Sequence, residues 1–286
     1  PRPGGHCTMA TGGAVRWRIE PFIRLGGNNL EREVILSDGR RLAATEKNGA
    51  GDTLVVLVHG WCCRRSDWHA YLESAPETVS FLAPDLPGHG DSASTPGTWT
   101  VAGMARDLAA MVNARRPARV VLVGHSMGGA VALEAAALLE SVAAVVFVDT
   151  FIIPYGDLSE DDAAGIERGF HEDFPAAVGR LVEANTSDAM PEPLKQALAA
   201  QMASAPPDKM LPLWGDLLRW SPEPAFAAVN APLFAINGEM IPDVARQRCA
   251  GRVTETVLAY PGHFPQWERP GEFSQALNKQ LEALRL

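Results

Sequence analysis

"VVLVGHSMGGAVAL", Val120 to Leu133, is the stretch whose reading decides the fold. An apolar run stops at Gly124, and a row of small residues with helical character begins at Met127. Between them lies Gly124-His125-Ser126-Met127-Gly128, which fits G-x-S-x-G at a strand-to-helix turn. The spacing has a physical cause. So sharp a turn forces the central residue into a strained backbone conformation and holds its hydroxyl clear of the sheet. The flanking positions have little room for a side chain, which calls for glycine. The helix that follows aims free N–H groups, and the positive end of its dipole, at any anion forming beside that hydroxyl.

Working outward, the chain alternates strands and helices. "REVIL" and "RLAATE" flank Ser37-Asp38-Gly39-Arg40, which predicts a hairpin. "TLVVLVHG", Thr53 to Gly60, is a continuous apolar run, as expected of a strand buried on both faces. "VSFLAPDLPGHGDS" gives a strand and a Pro/Gly-rich loop. Val101, Met104, Ala105, Leu108 and Met111 recur at helical spacing, and Pro117 closes that helix. Arg119 to Ser126 is a strand, Met127 to Leu139 a helix, and Ala143 to Thr150 another strand. Buried parallel strands joined by helices predict an open α/β sheet.

From Phe151 to Phe226 the strand-like runs vanish, and Ala- and Leu-rich helical segments follow, punctuated by proline. The alternation resumes with "PLFAIN", "TETVLAYPGH" and a final helix from Gly271 to Leu284. The expected organisation is an extension over residues 1–28, a core over 29–150, a helical lid over 151–226, and the rest of the core over 227–286. Such an insertion covers the C-terminal ends of the strands, where open α/β sheets place their ligands.

Composition narrows the function. A formal charge of −9, with no Lys/Arg run, argues against a nucleic-acid partner or a membrane-surface patch. No stretch nears 18 uninterrupted apolar residues, the length at which a span is suspected. Cys7, Cys62, Cys63 and Cys249 form neither a disulfide framework nor a CxxC metal pattern and are expected to be free thiols. The start, "PRPGGHCTMATGG", has no apolar core, so no secretory leader is expected there and cytoplasmic is the default location. Met9 is the expected native start, with the residues before it expected to be foreign to the chain.

Four stretches now carry a resemblance: "LVHGWCCRRSDW", "PDLPGHGDS", "GHSMGGAVAL" and "PGHFPQWERPGEF". From Glu31 to the C-terminus the sequence resembles the α/β-hydrolase superfamily, in its single-domain esterase, lactonase and C–C hydrolase branches. The resemblance implies a mostly parallel central sheet with an N-terminal antiparallel hairpin and a helical lid. It implies Ser126 as nucleophile and His263 as base, in the order Ser, acid, His along the chain. The backbone N–H groups of Trp61 and Met127 would form the oxyanion hole. His59, His89, His6, His69 and His171 are expected in structural or surface roles, and His125 should point away from Ser126. No cofactor or metal is implied.

The acid departs from the family's pattern. "PLFAINGEMIPDVARQ", Pro232 to Gln247, has Ile241 where these enzymes usually carry aspartate. Glu239 and Asp243 bracket that position, whereas Asp149 ends the preceding core strand, 23 residues after Ser126. Certain lipases and dehalogenases place their acid after that earlier strand. Pro242 marks the expected start of a helix, which gives Asp243 a purely local reason to exist. Asp149 is therefore preferred, Asp243 is the alternative, and Glu239 comes third.

The resulting expectation is a carboxylesterase-like serine hydrolase of small-molecule esters. A lactonase, C–C bond hydrolase or acyltransferase on the same triad remains an alternative, and a non-catalytic binding module comes last. Aspartate-nucleophile dehalogenases and epoxide hydrolases are disfavoured by Ser126. Neither the natural substrate nor the oligomeric state is legible in the residues.

Overall fold

The computed structural model describes residues 16–18 and 29–285. Apart from residues 16–18, the expected N-terminal extension, with His6, Cys7 and Met9, lies outside the described residues. In chain order the elements are β1 (Arg16–Arg18), β2 (Asn29–Ile35), β3 (Arg41–Lys47), β4 (Thr53–Val58), α1 (His69–Ser74), β5 (Ser80–Pro84), α2 (Val101–Arg115), β6 (Arg119–His125), α3 (Met127–Ala136) and β7 (Val142–Val148). Five helices follow: α4 (Glu160–Glu172), α5 (Phe174–Asn185), α6 (Glu192–Ala203), α7 (Pro207–Leu218) and α8 (Glu223–Ala228). The chain then returns to the sheet through β8 (Leu233–Asn237), α9 (Asp243–Cys249), β9 (Val253–Val257), α10 (Pro265–Glu268) and α11 (Pro270–Ala283).

The described strands form one sheet in the order β1-β2-β3-β5-β4-β6-β7-β8-β9. The β1–β2, β2–β3 and β3–β5 pairings are antiparallel, and all others are parallel. The predicted hairpin is β2–β3, closed by a turn in which Gly39 takes φ 86°, a left-handed value glycine adopts without steric cost. Every residue of β4 is buried, because helices cover both faces of the sheet. Alternate side chains sort to opposite sides. Val56, Val58, Leu122, Val145 and Phe147 join the core that holds α2, α3 and the inserted helices. Val55, Leu57, Val121, Val123, Val146 and Val148 face Tyr71, Leu72, Phe273 and Leu277. Fully burying each such side chain contributes about 1.5–3 kcal/mol, which sets the register strongly.

Helix ends follow local chemistry. Thr100 caps α2 by accepting from the Gly103 N–H at 3.0 Å, and Arg116 ends it at φ 48° just before Pro117. Ser159 and Asp173 cap α4 and α5 in the same way. α9 starts directly after Pro242, and Asp243 is its first residue, as the sequence suggested. The helix after Ser126 ends at Ala136, short of Leu139, and β1, added to the hairpin edge, has no signal in the sequence.

This strand order positions the site. β4, β6, β7 and β8 lie side by side and point the same way, so their C-terminal ends form one edge. Gly60-Trp61 follows β4, Ser126 follows β6, Asp149 follows β7 and Gly238 follows β8.

Candidate active site

Ser126 stands at the tip of the turn with φ 53° and ψ −123°, a conformation that L-residues other than glycine rarely take. The surrounding bonds enforce it. The Ser126 N–H donates to Val148 O at 2.9 Å, and the Ser126 carbonyl accepts from the Gly129 N–H at 2.9 Å. The glycines are needed for space. A Cβ on Gly128 would lie 2.3 Å from the Val58 carbonyl oxygen, and one on Gly124 would lie 2.2 Å from the Gly128 carbonyl oxygen. Both obstacles are backbone, so α3 approaches β4 and folds back on β6 this closely only without those side chains.

Ser126 and His263 line one cavity of about 260 Å³, with Gly60, Trp61, Cys63 and His125 forming its core-side wall. The opposite wall is Ile152, Ile153 and Tyr155 with Ile166, Phe170, Leu181, Asn185, Met202 and Trp214 of the inserted helices. The Gly60-Trp61 turn packs directly on the serine turn, since a Cβ on Gly60 would sit 3.4 Å from Ser126 Cβ. Trp61 is buried. Its ring lies 4.6 Å from Trp214 and edge-on to Phe170 at 5.3 Å, and its Nε1–H donates to Met210 O at 3.0 Å. One tryptophan therefore walls the cavity and fastens α7 to the core.

His263 is held through its backbone. Its N–H donates to Asn185 O at the end of α5 at 2.8 Å, and its carbonyl accepts from His125 Nε2 at 2.7 Å. Burial keeps the His263 ring neutral, with its pKa well below the usual histidine value, and its Nδ1 is buried without a partner. Here the sequence reading of His125 needs correction. Its side chain does not point away from the site. The ring lies 4.9 Å from that of His263, and its Nδ1 would be 3.1 Å from a Cβ on Gly60. Burial holds His125 near a pKa of about 4, so the neutral ring donates through Nε2 and braces the His263 loop. His59 has the structural role expected of it. Nδ1 donates to Gly60 O at 2.8 Å, while Nε2 accepts from the Leu86 N–H at 3.1 Å, which ties the β4 turn to the "PDLPGHGDS" loop.

The three carboxylates are placed very differently. Asp149 is 1% exposed, at φ 46°, and its Oδ1 accepts from the Gly238 N–H at 2.6 Å while Oδ2 accepts from the Tyr260 hydroxyl at 2.5 Å. Burial pushes its pKa up to about 7, against the pull of those two donors. Gly238 in turn abuts the His263 loop, because a Cβ there would lie 2.9 Å from Gly262 O, one residue before His263. Glu239 and Asp243 are both exposed. Ile241, in the position the family usually gives to aspartate, is 5% exposed and packed in the core. Among the described residues no hydrogen bond joins Ser126 to His263 or His263 to Asp149.

Two contributions had no signal in the sequence. Tyr260 follows β9, which runs parallel beside β8, and from there its hydroxyl reaches Asp149. Glu268 accepts from the Ser187 N–H at 2.7 Å and from the Phe264 N–H at 3.4 Å, which links the inserted helices to the His263 loop. Cys62 and Cys63 are buried free thiols whose pKa burial raises, and Cys249 is half-buried and free.

The fold has counterparts among known proteins. A dihydrolipoyllysine-residue acetyltransferase component of an acetoin cleaving system, from Cupriavidus necator, is 26% identical over 85% of this chain and 67% of its own length. A biotin biosynthesis bifunctional protein, BioHC, from Cellvibrio japonicus is 26% identical over 81% of this chain, which spans only 48% of that protein. An esterase from Exiguobacterium antarcticum superposes with a TM-score of 0.77 at 17% identity, covering 87% of this chain and 98% of its own, a likeness that speaks to the fold alone. The profile of the family described as alpha/beta hydrolase matches residues 55–276, from β4 into α11. The chain belongs to the alpha/beta hydrolase family.

Proposed function

We propose that this protein is a serine hydrolase that cleaves carboxylic esters through an acyl-enzyme. The observation that carries the reading is the strained serine at the N-terminus of α3, sharing one apolar cavity with a buried neutral histidine. His263 takes the Ser126 proton as Oγ attacks the ester carbonyl carbon. The N–H groups of Trp61 and Met127 receive the oxyanion. The C–O bond then breaks, and the leaving alcohol takes the proton from His263. Water attacks the acyl-enzyme by the same route in reverse and frees the acid and Ser126.

Asp149 is the triad acid in this account, stabilising the imidazolium that forms on His263. Its burial, its place at the end of β7 and its contact with Gly238 beside the His263 loop support it over the exposed Asp243 and Glu239. During turnover His263 Nδ1–H donates to Asp149, whose oxygens each retain a free lone pair beside their present donors. The helices α4 to α7 act as a lid that keeps water from the cavity. Among the described residues no helix is long and apolar enough to cross a membrane, and the partner is a small molecule.

The printed name of the Cupriavidus necator relative favours a second reading, in which the acyl group passes to an alcohol or thiol instead of water. Hydrolysis of p-nitrophenyl butyrate by the parent, Ser126→Ala and His263→Ala, with and without added alcohol, tests both. The parent turns over, and each variant loses about ten-thousand-fold or more. An ester product that outpaces free acid at millimolar alcohol selects the transfer reading. A Ser126→Ala variant as fast as the parent ends both.

A further inference from the structure

Resting on the serine-hydrolase reading, we infer that the substrate is a neutral ester with a compact apolar acyl group on an uncharged alcohol, and not an acyl group borne on an anionic, phosphate-containing carrier. Two independent features point there.

The first is the cavity itself. Among the described residues no Asp, Glu, Lys or Arg lines it. Ile152, Ile153, Phe170, Met202 and Trp214 supply its far wall, and Asn185 is the one amide among the residues the inserted helices contribute. An acyl chain ending in a carboxylate would leave water for this wall without a partner, a heavily disfavoured transfer. A cavity of about 260 Å³ suits an acyl chain of medium length better than one of twelve carbons.

The second is the charge around the mouth. Residues 151–226 carry 13 acidic against 5 basic side chains, a net −8 of the chain's −9. Ile166, which lines the cavity from α4, is 37% exposed, and the same helix carries Glu160, Asp161, Asp162, Glu167 and Glu172. The basic residues offer no phosphate clamp. Arg219 is bonded to Glu160 and Glu167, Lys195 to Glu183, and Lys209 to the Ala93 carbonyl. Arg168 and Arg180 are exposed, each one helical turn from an acid, Glu172 and Glu183. A phosphate-bearing acyl donor therefore meets a repelling field at the entrance, and a neutral ester does not.

The test compares kcat/KM for p-nitrophenyl acetate, hexanoate and laurate, for the p-nitrophenyl monoester of succinic acid, and for butyryl-coenzyme A. Hexanoate should exceed acetate and laurate by about tenfold and the succinyl monoester and the coenzyme A thioester by a hundredfold or more. Replacing the exposed Asp161 and Glu172 by lysine should raise coenzyme A thioester turnover severalfold at low salt and leave hexanoate unchanged. A parent that prefers the succinyl monoester, the thioester or laurate overturns the inference. Labelling by a fluorophosphonate separates the two levels of failure. A labelled protein with the wrong preference loses only the substrate class, whereas an unlabelled protein inert to every ester loses the serine-hydrolase reading as well.

Discussion

The Tyr260 hydroxyl donates to Asp149 Oδ2 at 2.5 Å, buried at the C-terminal edge of the sheet, and so one oxygen of the proposed acid is fixed by a phenol three residues ahead of the proposed base. The bond stabilises the charged carboxylate. Burial opposes it and leaves Asp149 with a pKa of about 7.

A pH profile should show this balance. His263 is neutral well into the acid range, so the acid limb of kcat/KM follows ionisation of Asp149 and falls below about pH 7. Tyr260→Phe removes a donor to the charged form and should move that limb to higher pH, with activity restored at alkaline pH. A uniform loss at every pH would reduce Tyr260 to packing. Stability carries the opposite sign. The folded pKa lies above the ordinary 3.8, so this group's contribution is fullest at acid pH and declines as pH rises through about 7. Thermal melts of Asp149→Asn against the parent should therefore shift in the variant's favour between pH 4 and pH 8.

The choice of acid is open to a direct comparison. Asp149→Asn should lose about ten-thousand-fold in turnover of p-nitrophenyl butyrate, the loss typical of a triad acid made neutral. Asp243→Asn, at the exposed start of α9, should lose less than twofold in activity. The reverse pattern would move the acid to α9.

Strain at the proposed nucleophile should be visible as stability. Ser126 occupies a backbone region suited to glycine, at a cost of about 1–3 kcal/mol, while glycine costs roughly 0.5–1 kcal/mol in chain entropy. Ser126→Gly should thus be inactive yet more stable, by on the order of 1 kcal/mol, in urea denaturation. A destabilised variant would mean the turn stores no strain.

On the far face of the sheet, Phe273 is fully buried between Trp68 and Tyr71, with ring centroids 6.0 and 5.8 Å away. Phe273→Ala should cost about 3–5 kcal/mol in urea denaturation and leave KM unchanged, because the cavity lies on the opposite face.

How far the sequence reached depends on the range of the interaction. The turn around Ser126, the hairpin at Gly39, the end of α2 before Pro117 and the helix after Pro242 are set by residues within a few positions of one another, and all were legible. His125 was misread because the direction of its ring is set by the His263 carbonyl, 138 positions away. Tyr260 and Glu268 gave no signal for the same reason: their partners Asp149 and Ser187 come from other elements. The cavity's apolar wall was visible only as aromatic residues in a helical stretch, and its geometry follows from how α4 to α7 settle on Trp61.

The central claim is that Ser126 carries the acyl group. Incubating the protein with a fluorophosphonate and mapping the adduct by peptide mass spectrometry tests it most directly. The account predicts one stoichiometric adduct, on the peptide that holds Ser126, and none on Ser126→Ala. An adduct on another residue, or ester hydrolysis that continues in a protein fully modified at Ser126, would contradict it.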